Sequence, residues 1–176
     1  MRSPTEDLTI HSSEVDREVR PARIAIVVVS THHGNTRKVA EAIAATLGAD
    51  LLSVDQVGTH SLQEYDLVGF GSGIYFGCHD RSLRRVVKSM QHVPSASFVF
   101  STAGLPWLSK LFHWALRKSL TQRGSQILGE FCCRGWDTVG PLFLMGGINR
   151  RHPDERDLKR ATKFATQLAV RTSKRD

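Results

Sequence analysis

Short apolar runs alternate with longer amphipathic stretches along this chain, and the alternation predicts strands separated by helices. Ile24–Val29 is an unbroken apolar, β-branched run, as in a parallel strand covered on both faces. Polar Ser30, Thr31, His32 and His33 follow, Gly34 permits tight backbone approach, and a helix opening at Thr36 sets Val39, Ala40, Ile43 and Leu47 on one face. The same reading places further strands over residues 50–54, 65–72, 97–100 and 127–133. Asp80 and Ser82 are candidate caps for a helix with Leu83, Val86, Val87 and Met90 inward and Arg84, Arg85 and Lys88 outward, stopped by Pro94. Residues 107–123 predict a long helix closed by Gly124, with Arg117, Lys118 and Arg123 near its negative end. Pro153 begins a last helix with Leu158, Ala161, Ala165 and Leu168 on its buried stripe.

Five apolar strands interleaved with helices give an α/β class, a doubly wound five-stranded parallel sheet with helices on both faces and right-handed crossovers. In that architecture ligands sit at the carboxyl ends of the strands, where the strand order reverses. The loops expected to converge there are STHHGNT, GSGIYFGCHD and STAGLP, all rich in Gly, Ser and Thr. The first is a phosphate cradle in outline: a strand, a polar turn and a helix start gather backbone N–H groups at the positive end of a helix dipole. The second adds Tyr75 and Phe76, so polar and aromatic contacts meet at one edge.

The chain has 176 residues and a formal net charge of +7. Its length suits one domain, over residues 21–176. Residues 1–20 hold five acidic and three basic side chains with few large apolar groups, and read as a mobile extension with no signal-peptide pattern. Net −2 there leaves +9 on the remainder, which suits an acidic partner or reflects a basic proteome background. No zinc spacing or nucleic-acid motif accompanies the charge, so no nucleic acid is expected, and no apolar run approaches the roughly 20 residues that span a bilayer. A cytoplasmic location is the expectation. Cys78, Cys132 and Cys133 form neither a CxxC pair nor a disulfide framework, and adjacent His32 and His33 lack companion ligands, so no metal site is expected. Asp137 and Thr138 read as loop-ordering residues, and no catalytic acid, base or nucleophile stands out.

These segments together resemble the flavodoxin-like family, most closely small single-domain members with an HHGNT loop. The likeness runs from Arg23 to about Val170 and includes GSGIYFG, STAG, FCCRGWDTVGP and GGINRRHPDERDL. In the family's T-x-T-G-x-T pattern, His33 stands where a Thr is usual. The resemblance implies the sheet order 2-1-3-4-5 and non-covalent FMN. It puts the phosphate on Ser30, Thr31, His33, Gly34, Asn35 and Thr36. The ring system falls beside Gly73, Ile74, Tyr75, Phe76 and the loop of Ser101, Thr102, Ala103 and Gly104. It further implies electron transfer between redox partner proteins. Two alternatives stand beside it: an FMN-dependent oxidoreductase acting on a quinone or porphyrinogen, and an interaction module without flavin.

The helix around residues 107–116 is unusual, because Trp107, Leu108, Leu111, Phe112, Trp114, Ala115 and Leu116 occupy more than one face. Either a broad core contact covers the surplus, or it forms a dimer interface or a docking surface.

Overall fold

The computed structural model describes residues 21–31, 34–57, 61–135, 149 and 151–175. Its strands are β1 (Ile24–Val29), β2 (Asp50–Leu52), β3 (Leu67–Tyr75), β4 (Cys78–His79), β5 (Ala96–Ala103) and β6 (Gln126–Arg134). Its helices are α1 (Asn35–Leu47), α2 (Arg81–Ser89), α3 (Ser109–Thr121) and α4 (Glu155–Ser173). The parallel sheet runs β2-β1-β3-β5-β6, with β4 paired antiparallel to the end of β3. Leaving out the two-residue β4, this is the expected five-stranded order.

The two sheet faces build two cores. On one, Val39, Ala40 and Ile43 of α1 and Ala161, Ala165 and Leu168 of α4 cover Ile24, Ile26, Phe98 and Phe100. On the other, Leu83 and Val87 of α2 and Leu116 and Leu120 of α3 cover Ala25, Val27, Val68, Phe70 and Val99. In the first core, Gly69 pairs in register with Phe98 and Gly71 with Phe100. The two rings occupy the space where a Cβ on either glycine would stand.

Several boundaries differ from the sequence reading: the long helix spans Ser109–Thr121 instead of 107–123, and the last helix starts at Glu155, after its cap Asp154, instead of at Pro153. β2 ends at Leu52, because residues 54–57 turn. β3 continues past Ser72 to Tyr75, and β5 past Phe100 to Ala103, so much of two expected loops is strand. The polar residues tolerate burial because they have partners in the second core. Ser72 Oγ donates to the Gly73 carbonyl at 2.9 Å, accepts from the Asp80 N–H at 3.0 Å and lies 2.8 Å from His79 Nδ1. A hydroxyl has one proton, so with that proton on Gly73 the imidazole donates from Nδ1. Ser101 Oγ lies 2.8 Å from His113 Nε2, and His113 Nδ1 lies 3.1 Å from Glu130. The two imidazole rings stand 5.1 Å apart. Helix starts are handled differently: Asp80 caps α2 by accepting from the Ser82 N–H, and Asp154 and Asp157 form a capping box on α4.

Burial, then His113 and Arg84, lower the His79 pKa from 6.5 to about 3. The folded protein keeps this imidazole neutral while the unfolded chain binds a proton below pH 6.5. Stability is therefore full above that value and falls as the pH drops from 6.5 towards 3, by up to about 1.4 kcal/mol per unit. Denaturant titrations between pH 7 and 5 are expected to show this slope in the wild type and a flatter one in His79→Gln; equal slopes would refute it. Gly71→Ala forces a methyl group into the Phe100 ring and is expected to cost about 1–3 kcal/mol in the same titration at neutral pH.

Candidate functional site

The carboxyl ends of β1, β3 and β5 lie side by side, because Val29 pairs with Ser72, Ser72 with Ser101 and Gly73 with Thr102. The loops leaving these strands therefore share one edge of the sheet. Gly34 caps α1 in the left-handed conformation, φ 66°, and open space surrounds the position its side chain would take. No side chain caps the helix from that position, and its first turn carries no acidic residue but does carry Arg37 and Lys38. The nearest substitute is Ser30, whose Oγ accepts from the Arg37 backbone N–H at 3.3 Å. The result is a helix start of positive potential beside a glycine that permits close approach.

Of the expected phosphate residues, Thr31 is exposed, Gly34 half-buried, and Asn35 and Thr36 buried in the first turn of α1. His32 and His33 lie outside the described residues. Thr36 Oγ1 is 2.8 Å from Thr102 Oγ1, so the α1 start and the β5 end are in direct contact. The backbone of Gly135, after β6, packs against Thr102 and Asn35. Three of the four loops of the edge thus converge on one pair of threonine hydroxyls.

The second group of expected residues divides. Gly73, Ile74 and Tyr75 close β3, and the Tyr75 ring lies over the Cα of Gly73. Phe76 and Gly77 both adopt positive φ, 50° and 77°, and form the tight turn into β4. Phe76 stands at that tip 90% exposed, directed away from the core. Ser101, Thr102 and Ala103 are buried in β5, and the Gly104 carbonyl accepts from Asn149 Nδ2 at 3.1 Å. A cleft of about 350 Å³ runs beside the hairpin, lined by Tyr75, Phe76, Cys78, His79, Asp80, Arg81 and Arg84.

Behind the edge lies a polar chain that the sequence reading missed. Glu130 accepts from Arg117 at 2.9 Å and faces His113, whose hydrogen bond, with help from Arg117, holds the carboxyl below its usual range. The chain ends at Ser101, which also donates to Cys132 Sγ at 3.2 Å. The readable signal was spacing: His113 falls on the same helical stripe as the buried Leu116 and Leu120. His79 Nε2 and Arg84 Nε are buried with no hydrogen-bond partner. Burial pushes the Cys132 thiol up to about 11 and Cys133 higher still, so neither is a thiolate at neutral pH. His152, Asp154 and Asp157 cluster at the α4 start, where His152 Nδ1 lies 2.6 Å from Asp157 and both carboxylates serve the capping box. Asp137 and Thr138 lie outside the described residues.

Comparison with known proteins agrees with this architecture. A family model described as a flavodoxin domain matches residues 26–110. An uncharacterized protein of Methanocaldococcus jannaschii is 46% identical over 143 residues, spanning 81% of this chain and 95% of that one. Among solved structures, a flavodoxin from the domain Archaea superposes with a TM-score of 0.62 at 16% identity, over 86% of this chain and 99% of its own. The WrbA-like flavodoxin of Agrobacterium tumefaciens gives 0.63 at 17%, over 88% and 100%. At such identities the two structures speak for the fold, while the family model and the close archaeal relative speak for descent. The chain belongs to the flavodoxin-like family.

Proposed function

We propose that this protein binds FMN without a covalent bond at the carboxyl edge of its sheet and passes electrons between redox partner proteins. The observation that carries the reading is the start of α1, which has no side chain on its cap position, no first-turn carboxylate, and a glycine with open space beside it. A phosphate fits a helix start of this kind, where the positive end of the dipole and a glycine lie together. The residues assigned to it are Ser30, Thr31, His33, Gly34, Asn35 and Thr36. Gly73, Ile74, Tyr75 and Phe76, with Ser101, Thr102, Ala103 and Gly104, border the ring system. Tyr75 is the better placed aromatic to cover a ring, being half-buried over Gly73, whereas Phe76 points outward.

When bound, the flavin supplies the one- and two-electron chemistry. The protein's part is to hold the phosphate, shield one ring face and set the charge around it. The Thr36–Thr102 hydrogen bond fixes the phosphate loop against the ring loop, so the two halves of the site move as one. Arg81 and Arg84 beside Tyr75 and Phe76 put positive potential near the ring. A basic rim also suits acidic redox partners.

Absorbance of the purified protein is expected to show flavin bands. Titration of the stripped protein is expected to bind FMN at least about tenfold more tightly than riboflavin, which lacks the phosphate. Gly34→Asn, which puts a side chain into the open space and still tolerates positive φ, is expected to weaken that preference with the circular dichroism unchanged. Equal affinity for the two ligands would rule out the phosphate assignment, and no binding of either would favour the module without flavin. Potentiometry is expected to place the more negative reduction step above that of an acidic flavodoxin, and Arg81→Gln to lower it by on the order of tens of millivolts. An unchanged potential in the variant would remove the arginine from that role.

A further inference from the structure

The α2 and α3 helices lie on the same face of the sheet and differ in charge from the other two. Neither contains an acidic residue, while together they carry seven basic ones. On the opposite face α1 pairs Arg37 with Glu41, and α4 begins with Glu155 and Asp157. Arg81, Arg85, Lys88, Lys110 and Lys118 are exposed, and none forms an ion pair among the described residues. Arg81, Arg84, Arg85 and Lys88 border an open cleft of about 450 Å³.

The same side of the sheet carries most of the large apolar side chains exposed among the described residues. Trp107 is 69% exposed, Leu111 68% and Trp114 52%, and their spacing continues to Lys118, whose ammonium lies 4.8 Å above the Trp114 ring. Leu105 and Leu108 flank this stripe, and the hairpin tip bearing Phe76 approaches α3 where Gly77 neighbours Phe112. Large apolar groups in a row at the surface need a covering surface. The surplus that the sequence pattern left open is therefore exposed, not a broad core contact.

We propose that the α2/α3 layer docks on an anionic lipid surface, with Trp107, Leu111 and Trp114 entering the interface and Arg81, Arg85 and Lys88 meeting headgroups. A second copy is disfavoured, because it would bring two acid-free cationic layers face to face. An acidic protein or a nucleic acid answers the charge but offers nothing general to bury leucine and tryptophan. A bilayer interface answers both, since its headgroups are negative and the layer beneath is apolar. The contact is peripheral: no helix among the described residues is long and apolar enough to cross a membrane. This inference stands apart from the flavin assignment and does not depend on it.

Vesicle flotation with the full chain tests the proposal, using phosphatidylcholine alone and mixed with phosphatidylglycerol. The wild type is expected to float with mixed vesicles at least about tenfold better than with phosphatidylcholine, to release as salt is added, and to show blue-shifted tryptophan emission when bound. Trp107→Ser with Leu111→Ser, and separately Arg85→Gln with Lys88→Gln, are each expected to lower flotation by about tenfold at unchanged circular dichroism. No flotation of the wild type would overturn the proposal. So would flotation that the apolar variant retains, or a wild-type dimer that the apolar variant converts to monomer without any vesicle binding. Binding of polyglutamate or RNA in place of vesicles would likewise overturn it.

Discussion

The arrangement of the whole edge depends on two aromatic rings seated on two glycines. Phe98 and Phe100 of β5 stand directly across from Gly69 and Gly71 of β3, and each ring fills the space its partner leaves open. This interlock sits in the core under α1 and α4, where all four residues are buried. A slip of one residue would turn the rings to the opposite face and set each against a side chain. Because the register is held there, Ser72 meets Ser101 and Gly73 meets Thr102 a few residues further on. The site therefore inherits its geometry from an apolar contact that touches none of its chemistry.

What was legible in the sequence follows from the same physics. The apolar runs of β1, β3, β5 and β6 stand out because both of their faces are covered, and the stripes of α1, α2 and α4 stand out because one of theirs is. Strand ends were harder. Ser72 and Ser101 look like the beginnings of loops, since a hydroxyl in a central strand is costly when alone. Here each has a histidine within 2.8 Å, and those histidines come from the hairpin and from α3, segments that no local pattern ties to the serines. The strands therefore outlast their apolar runs. The turn at Phe76 is equally hidden, for an aromatic residue at positive φ is not what a tight turn asks for. Its exposure gives the hairpin an apolar tip that core packing does not explain.

The site itself was readable in part. A polar turn between a buried strand and a helix marks the side proposed for a phosphate, and Gly34 does adopt the conformation that only glycine takes readily. The link between Thr36 and Thr102 was not readable, because it joins residues sixty-six positions apart through a hydroxyl pair. Nor was the contribution of Gly135, which admits the backbone after β6 close to Thr102 and Asn35. Both belong to the tertiary closing of the edge, where sequence periodicity carries no information.

The two faces of the sheet have been put to different uses. Under α1 and α4 the core is nearly all apolar, and the exposed charges outside it are mixed in sign. Under α2 and α3 the core accepts two serines, two histidines and a carboxylate, while the helices outside carry only positive charge and the exposed tryptophans. A buried polar group left without a partner, as at His79 Nε2, weakens packing, whereas the linked chain from Ser101 through His113 and Glu130 to Arg117 holds its members in place. Glu130 ties that chain to Arg117 on the outer layer, and Ser101 ties it to the sheet edge. The α2/α3 layer and the carboxyl edge of the sheet are thus joined by hydrogen bonds through His113, a fully buried imidazole on a helix whose outer face is apolar and exposed. A surface held to the strand ends in this way keeps a fixed distance from them, because neither can shift without breaking a buried hydrogen bond.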